Sequence, residues 1–181
     1  MKKKQLYKLC ECAVFIALSL ALMPIEIPGP AFGGDIDLVM IPLFILAYRN
    51  GVGYGVVSGL IFGFLKCLIG GGIGWGLPSV LLDYVLAYGA VGVAGLFKEK
   101  NWAIELSTLI GCLSRFLIHF ISGITLYAIT VPTNVEGTAL TTASPFIYSI
   151  VYNSLYMLPN TIIAIVIMSL LRYPLKKMKK I

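Results

Sequence analysis

The chain has 181 residues, 59% of them hydrophobic and only 12% charged, with a mean hydropathy of +0.92; soluble domains carry about 25% charge, so a soluble globular fold is excluded. At roughly 20 residues per membrane-spanning helix plus loops, the length suits a single domain of about six spans over residues 1–181 and excludes transporters built from two repeats of five or six. Lys and Arg number 14 against 8 Asp and Glu, a net charge of +6, yet no basic run is interleaved with aromatics as a nucleic-acid surface requires, so the excess reports orientation in a cell membrane.

The N-terminal run MKKKQLYK has the outline of a secretory signal, but no small-residue cleavage site precedes a soluble domain and more apolar segments follow, so it leads into a first membrane helix. That helix covers about Leu9 to Met23 and is closed by Pro24, Pro28, Gly29 and Pro30. Helix 2 follows over about Asp37 to Tyr48, and helix 3 over about Val52 to Ile69, ending in Gly70, Gly71 and Gly72. Helix 4 spans about Pro78 to Phe97 and helix 5 about Ala103 to Thr130, before a polar, Thr-rich loop from Val131 to Ser144. Helix 6 opens with Ser144 as cap and Pro145 at the first helical position and runs to about Arg172. The cysteines Cys10, Cys12, Cys67 and Cys112 all lie in apolar stretches, which offers neither a disulfide framework nor a metal or redox site, and no cofactor is expected.

Cations mark alternate ends of these segments. Lys2, Lys3, Lys4 and Lys8, then Arg49, then Lys98 and Lys100, then Arg172, Lys176, Lys177, Lys179 and Lys180 share one side, whereas the other three loops lack Lys and Arg. Both termini are therefore expected in the cytoplasm. Glu26, Asp35 and Glu136 fall in the outer loops, with Asp37 at the outer start of helix 2.

Inside the spans remain Lys66, Asp83, Arg115 and the only histidine, His119. Ionisable groups in hydrocarbon are costly and face a cavity or one another. With a rise of about 1.5 Å per residue, Asp83 lies roughly 8 Å below the outer boundary, His119 roughly 6 Å and Asn153 about 10 Å, which puts the three on one level. Trp75, Tyr84, Tyr127, Tyr148 and Tyr152 gather there. Such residues also form the interfacial belt of any membrane protein, but with the polar trio they suggest a cavity opening outward. Arg115, one turn below His119, reads as a counter-ion to Asp83, and Lys66, near the outer end of helix 3, as a snorkelling residue outside the site.

A carboxylate among aromatic faces, or two if Asp37 joins, suits a small flat organic cation through cation–π contacts of about 0.5 to 2 kcal/mol each. Asn153, Tyr148 and His119 add the directional hydrogen bonds of a heteroaromatic ligand. No H-E-x-x-H or G-x-S-x-G motif supports catalysis, so binding is expected rather than enzyme activity; a small intramembrane enzyme would use Asp83 and His119 as acid and base. Nor is there a G-x-x-x-x-G-K-[ST] loop, so active uptake needs an energy-supplying partner or an ion gradient.

Leu81-Leu82-Asp83-Tyr84, the stretch from Arg115 to Tyr127, the run Tyr148 to Asn153 and Tyr156-Met157-Leu158-Pro159 together resemble the thiamine-specific substrate-binding (S) components, or ThiT, of energy-coupling factor transporters. Asp37 to Pro42 and Gly95-Leu96-Phe97 look similar too, so the resemblance covers nearly the whole chain. It implies an all-α, six-helix S-component fold in the membrane, a thiamine pocket near the outer face, a membrane scaffold (T component) and a pair of ATPases. The family's pocket falls on Asp83, Tyr84, His119, Tyr148 and Asn153, with Asp37 at a helix 2 glutamate and Tyr127 at the stacking tryptophan that ends helix 5. The loop 1 tryptophan corresponds to Gly33, and an aromatic before helix 4 to Ile73, with Trp75 close by to replace it. These departures leave open an S component for another small heterocycle, such as a thiamine precursor.

Relatives also use an A-x-x-x-A pattern on helix 1, here Ala13, Ala17 and Ala21, against the scaffold subunit. Small residues four apart let helices approach closely, and Gly51, Gly55, Gly59 and Gly63 on helix 3 have the same property. Spacing alone does not say which row packs internally; only the resemblance assigns helix 1 to the partner.

Overall fold

The computed structural model describes residues 3–28, 34–130 and 144–177. Gly33, Glu136 and the loop expected from Val131 lie outside them, as do the side chains of Trp75 and Tyr127. Helix α1 covers Lys3–Leu22, beginning earlier than the apolar run because nothing in Lys3 to Lys8 breaks a helix. One stripe of it is buried, Cys12, Ile16 and Ser19, and Ala13, Ala17 and Ala21 are exposed.

The next segment departs from the sequence expectation of a plain loop and a helix starting at Asp37. Strands β1 (Glu26–Pro28) and β2 (Asp35–Asp37) pair antiparallel, with Glu26 opposite Asp37 and Pro28 opposite Asp35. Asp37 ends β2, and its carboxylate accepts the Val39 N–H at 3.3 Å just before helix α2, Met40–Asn50, begins. With 11 residues, α2 is about 17 Å long and cannot cross a 30 Å hydrocarbon core by itself. It is buried nearly all round, through Met40, Leu43, Phe44, Leu46 and Ala47, and forms the centre of the bundle.

Gly51, at φ +89°, turns the chain directly into α3, Val52–Ile69. After a short turn at Gly72–Trp75, α4 covers Leu77–Phe97, α-helical over Leu77–Ser79 and Ala87–Val91 but π-helical over Val80–Leu86 and 3₁₀ over Gly92–Phe97. Helices α3 and α4 touch backbone to backbone: a Cβ on Gly59 would lie 2.2 Å from the Tyr88 carbonyl oxygen, and one on Gly63 2.3 Å from that of Tyr84. The glycine row thus packs internally.

Helix α5 covers Ile104–Thr130 and α6 Pro145–Lys177, the latter capped by Ser144 Oγ, which accepts the Ile147 N–H at 3.4 Å. They run antiparallel, tied by Ser149 Oγ donating to the Phe120 carbonyl at 2.8 Å and, at the other end, by an Arg172–Glu105 ion pair. Arg49 and Asn50 bind Glu11 at that same end. The core centres on Phe44, Phe62, Tyr88, Val91, Ile104 and Met168, with Phe62 and Tyr88 edge to face at 4.8 Å.

Outside, Leu113, Leu117 and Ile121 on α5 and Leu155, Leu158, Ile162 and Val166 on α6 form exposed apolar stripes that water would not tolerate. Among the described residues, five helices, all but α2, are long and apolar enough to cross a membrane; the protein is a multi-pass, almost wholly helical membrane protein. Between α1 and α3 lies an apolar groove of about 730 Å³ lined by Ala13, Ile16, Ala17, Tyr54, Val57 and Ile61 among others.

Candidate functional site

Asp83 projects from the π-helical stretch of α4, a widened turn of the kind that recurs at functional sites because it re-aims side chains. Its Oδ2 accepts from Ser79 Oγ at 2.8 Å, and its Oδ1 lies 3.1 Å from His119 Nδ1. Across the site, Asn153 Nδ2 donates to the His119 carbonyl at 3.2 Å and to the Ser149 carbonyl at 2.9 Å. Tyr156 donates its hydroxyl to Asn153 Oδ1 at 2.6 Å and sets its ring edge to face against His119. Tyr148 and Tyr152 stack with centroids 5.6 Å apart, and Tyr152 meets Tyr156 at 6.0 Å, so three tyrosines spaced four apart continue one face of α6 away from the imidazole. The structure thereby brings Asp83, His119 and Asn153 to one level. A Cβ on Gly123 would strike Ser149 Oγ at 2.3 Å, so a glycine there lets α6 close on α5.

Tyr84 follows Asp83 but turns to the chain after α3, where its ring covers Gly72. Trp75 ends the turn just before α4, and Tyr127 stands near the end of α5.

A second polar layer lies below the first and corrects two expectations. Lys66 does not snorkel: its Nζ donates to Asp37 Oδ2 at 2.8 Å and to the Tyr88 hydroxyl at 2.9 Å. With only 1% of the Asp37 side chain exposed, the pair is internal. Arg115 is not the ion-pair partner of Asp83. Its Nε donates to His119 Nε2 at 3.3 Å and its guanidinium stacks on Tyr88 at 4.2 Å, while among the described residues its Nη1 has no partner. An arginine nitrogen has only hydrogens to offer, so His119 Nε2 is an acceptor and Nδ1 carries the proton to Asp83. The imidazole is then neutral, and both Asp83 carboxylate oxygens act as acceptors.

Sequence reasoning set Lys66 outside the site and gave no role to Ser79, Ser149, Tyr156 and Asn160. The last two were readable in part: Asn153, Tyr156 and Asn160 follow the i, i+3, i+7 spacing of one helix face in an otherwise apolar span. Among the described residues, no group of His, Cys, Asp and Glu is arranged to hold a metal ion. The arrangement offers an anionic acceptor, a fixed neutral imidazole, an amide and aromatic faces, which are means of recognition.

Two relatives named thiamine transporter ThiT match along almost the entire chain. The one from Bacillus subtilis is 31% identical, covering 94% of this chain and 92% of the relative; the one from Lacticaseibacillus paracasei is 27% identical, covering 93% and 88%. A solved structure of ThiT from Listeria monocytogenes has the same fold, with a TM-score of 0.80 at 24% identity over 95% of this chain and 96% of that one. Residues 9–180 match the model of the thiamine transporter protein family (Thia_YuaJ), and the chain belongs to that family.

Proposed function

We propose that this protein is the thiamine-binding S component of an ATP-driven energy-coupling factor transporter, and that it takes up its ligand near the outer face. The observation that carries the reading is the Asp83–His119–Asn153 constellation continued by Tyr156, Tyr152 and Tyr148. Thiamine joins a cationic thiazolium to an aminopyrimidine, and the site offers one carboxylate, aromatic faces and oriented donors and acceptors for them. Asp37, Tyr84, Tyr127 and Trp75 complete the proposed set, Asp37 from the layer below.

The orientation follows from charge. Arg49, Lys98, Lys100, Arg172, Lys176 and Lys177 belong to the ends opposite the pocket, which supports a cytoplasmic side there and an outward-facing site. The sequence lacks a nucleotide-binding loop, so the energy for active uptake comes from elsewhere; the family resemblance supplies the partners proposed here, a T component docked on Ala13, Ala17 and Ala21 and a pair of ATPases.

The test is titration of the purified protein with thiamine, followed by chemical analysis of what is released. Saturable one-to-one binding and unchanged thiamine are expected. Conversion of ligand by the protein alone would establish instead an enzyme acting through Asp83 and His119. Preference for a thiamine precursor in a competition panel would reassign the ligand within the same class.

A further inference from the structure

Strand β2 packs against α6 at the outer end of the bundle, with Asp35 and Ile36 half-buried and Asp37 buried. A backbone group buried there without a partner is unfavourable, and each finds one. One edge of β2 pairs with β1. On the other edge, Asn160 of α6 accepts the Asp37 N–H on its Oδ1 at 3.0 Å and donates from Nδ2 to the Asp35 carbonyl at 2.7 Å. The carboxamide presents the same acceptor and donor as a peptide group, so one buried side chain replaces a third strand. Asn160 is 1% exposed.

From β2 two chains of contact lead to the pocket. In the first, Gly34, at φ +93°, lies flat on the Tyr156 ring, where a Cβ would come within 2.4 Å, and Tyr156 in turn holds Asn153 and faces His119. In the second, the Asp37 carboxylate binds Lys66, Lys66 binds the Tyr88 hydroxyl, Arg115 stacks on the Tyr88 ring, and Arg115 donates to His119. Both chains converge on the imidazole, and both begin where Asn160 holds β2.

We infer that Asn160 is a positioning residue for ligand binding: by holding β2 against Tyr156 and Asp37 against Lys66, it keeps the pocket closed around a bound ligand and so sets its dissociation rate. This rests on the reading that the Asp83–His119–Asn153 site is the thiamine pocket.

The test uses the full chain in lipid nanodiscs, with the native cysteines replaced. Nitroxide labels at Ile27→Cys on β1 and Leu158→Cys on α6, both exposed positions, report the hairpin position without any ligand. In Asn160→Leu, which removes donor and acceptor, the narrow label distance should broaden. Thiamine should leave about tenfold faster, at an association rate changed by less than about twofold, since bonds holding the closed state act on dissociation. Asn160→Asp keeps the acceptor but sets an oxygen against the Asp35 carbonyl, and it serves in place of Asn160→Leu if that variant does not fold. Asn160→Gln, which retains both groups on a longer stem, should recover part of the slow dissociation. Met168→Ala, a cavity in the core remote from β2, should lower thermal stability without changing the dissociation rate. A folded Asn160 variant with an unchanged distance or an unchanged dissociation rate would overturn the inference, as would an equal acceleration in Met168→Ala. Absence of thiamine binding in the unsubstituted protein would refute the proposed function, and the label distances would still decide whether Asn160 holds the hairpin.

Discussion

The Asp83 carboxylate accepts from Ser79 and from a neutral imidazole, and any cation bound there gains a charge-assisted contact. Asp83→Asn preserves shape and removes the charge, so thiamine binding should weaken by about 1.5 to 3 kcal/mol, or roughly 10- to 150-fold, while the protein stays folded. Titration by tryptophan fluorescence measures this, and unchanged affinity in a folded variant would move the site elsewhere. The Asp37–Lys66 pair behaves differently, because both charges are largely shielded from solvent. Lys66→Met strands a buried carboxylate and should cost about 3 to 5 kcal/mol of stability. Adding Asp37→Asn should restore most of it, as unfolding of the single and double variants would show; equal losses in both would mean that the pair is not coupled. The level shared by Asp83, His119 and Asn153 was legible in the sequence because helical rise converts position into depth. The partners of Lys66 and Arg115 were not, since a pairing over 29 residues depends on where a short strand places Asp37, and depth arithmetic holds no direction around the helix axis.

Among the elements, helices 1, 3, 4, 5 and 6 were readable from long apolar runs punctuated by proline and glycine; the limits of helices 3, 4 and 5 moved by no more than one residue, whereas helix 1 begins at Lys3 rather than Leu9 and helix 6 runs on to Lys177. The β1–β2 hairpin escaped because Glu-Ile-Pro and Asp-Ile-Asp carry too few residues for a strand pattern, and Asn160, which secures one edge, lies 123 residues away. The π-helical stretch of α4 was equally hidden, since the residues Val80 to Leu86 would suit an ordinary helix. The two small-residue rows were indistinguishable by spacing; contact separates them, the glycines meeting α4 and the alanines facing outward. Gly59→Val should therefore force α3 and α4 apart, with loss of folded protein in detergent, because the obstacle is backbone rather than a movable side chain. Size-exclusion profiles against Gly53→Val, at a position with nothing within 4 Å, provide the comparison; a well-folded Gly59→Val would contradict the observed packing.

At the scale of the whole molecule, the proposed division between a binding pocket at one end and a docking face on α1 predicts separable defects. Ala17→Trp should abolish uptake and co-purification with a scaffold subunit and leave thiamine affinity nearly unchanged. Loss of affinity in a folded variant would mean that α1 acts on the pocket. Orientation is tested by single cysteines in a cysteine-free background: one at Gly71 should react with an impermeant reagent applied to intact cells and one at Glu99 should not, with labelling of Glu99 reversing the assignment. The groove between α1 and α3 adds a thermodynamic consequence. In a bilayer its contents are acyl chains, so a helix that settles there expels hydrocarbon rather than water. Such an exchange of one apolar contact for another carries almost no heat-capacity change, and the strength of the association should follow the length and order of the surrounding lipid tails far more closely than temperature.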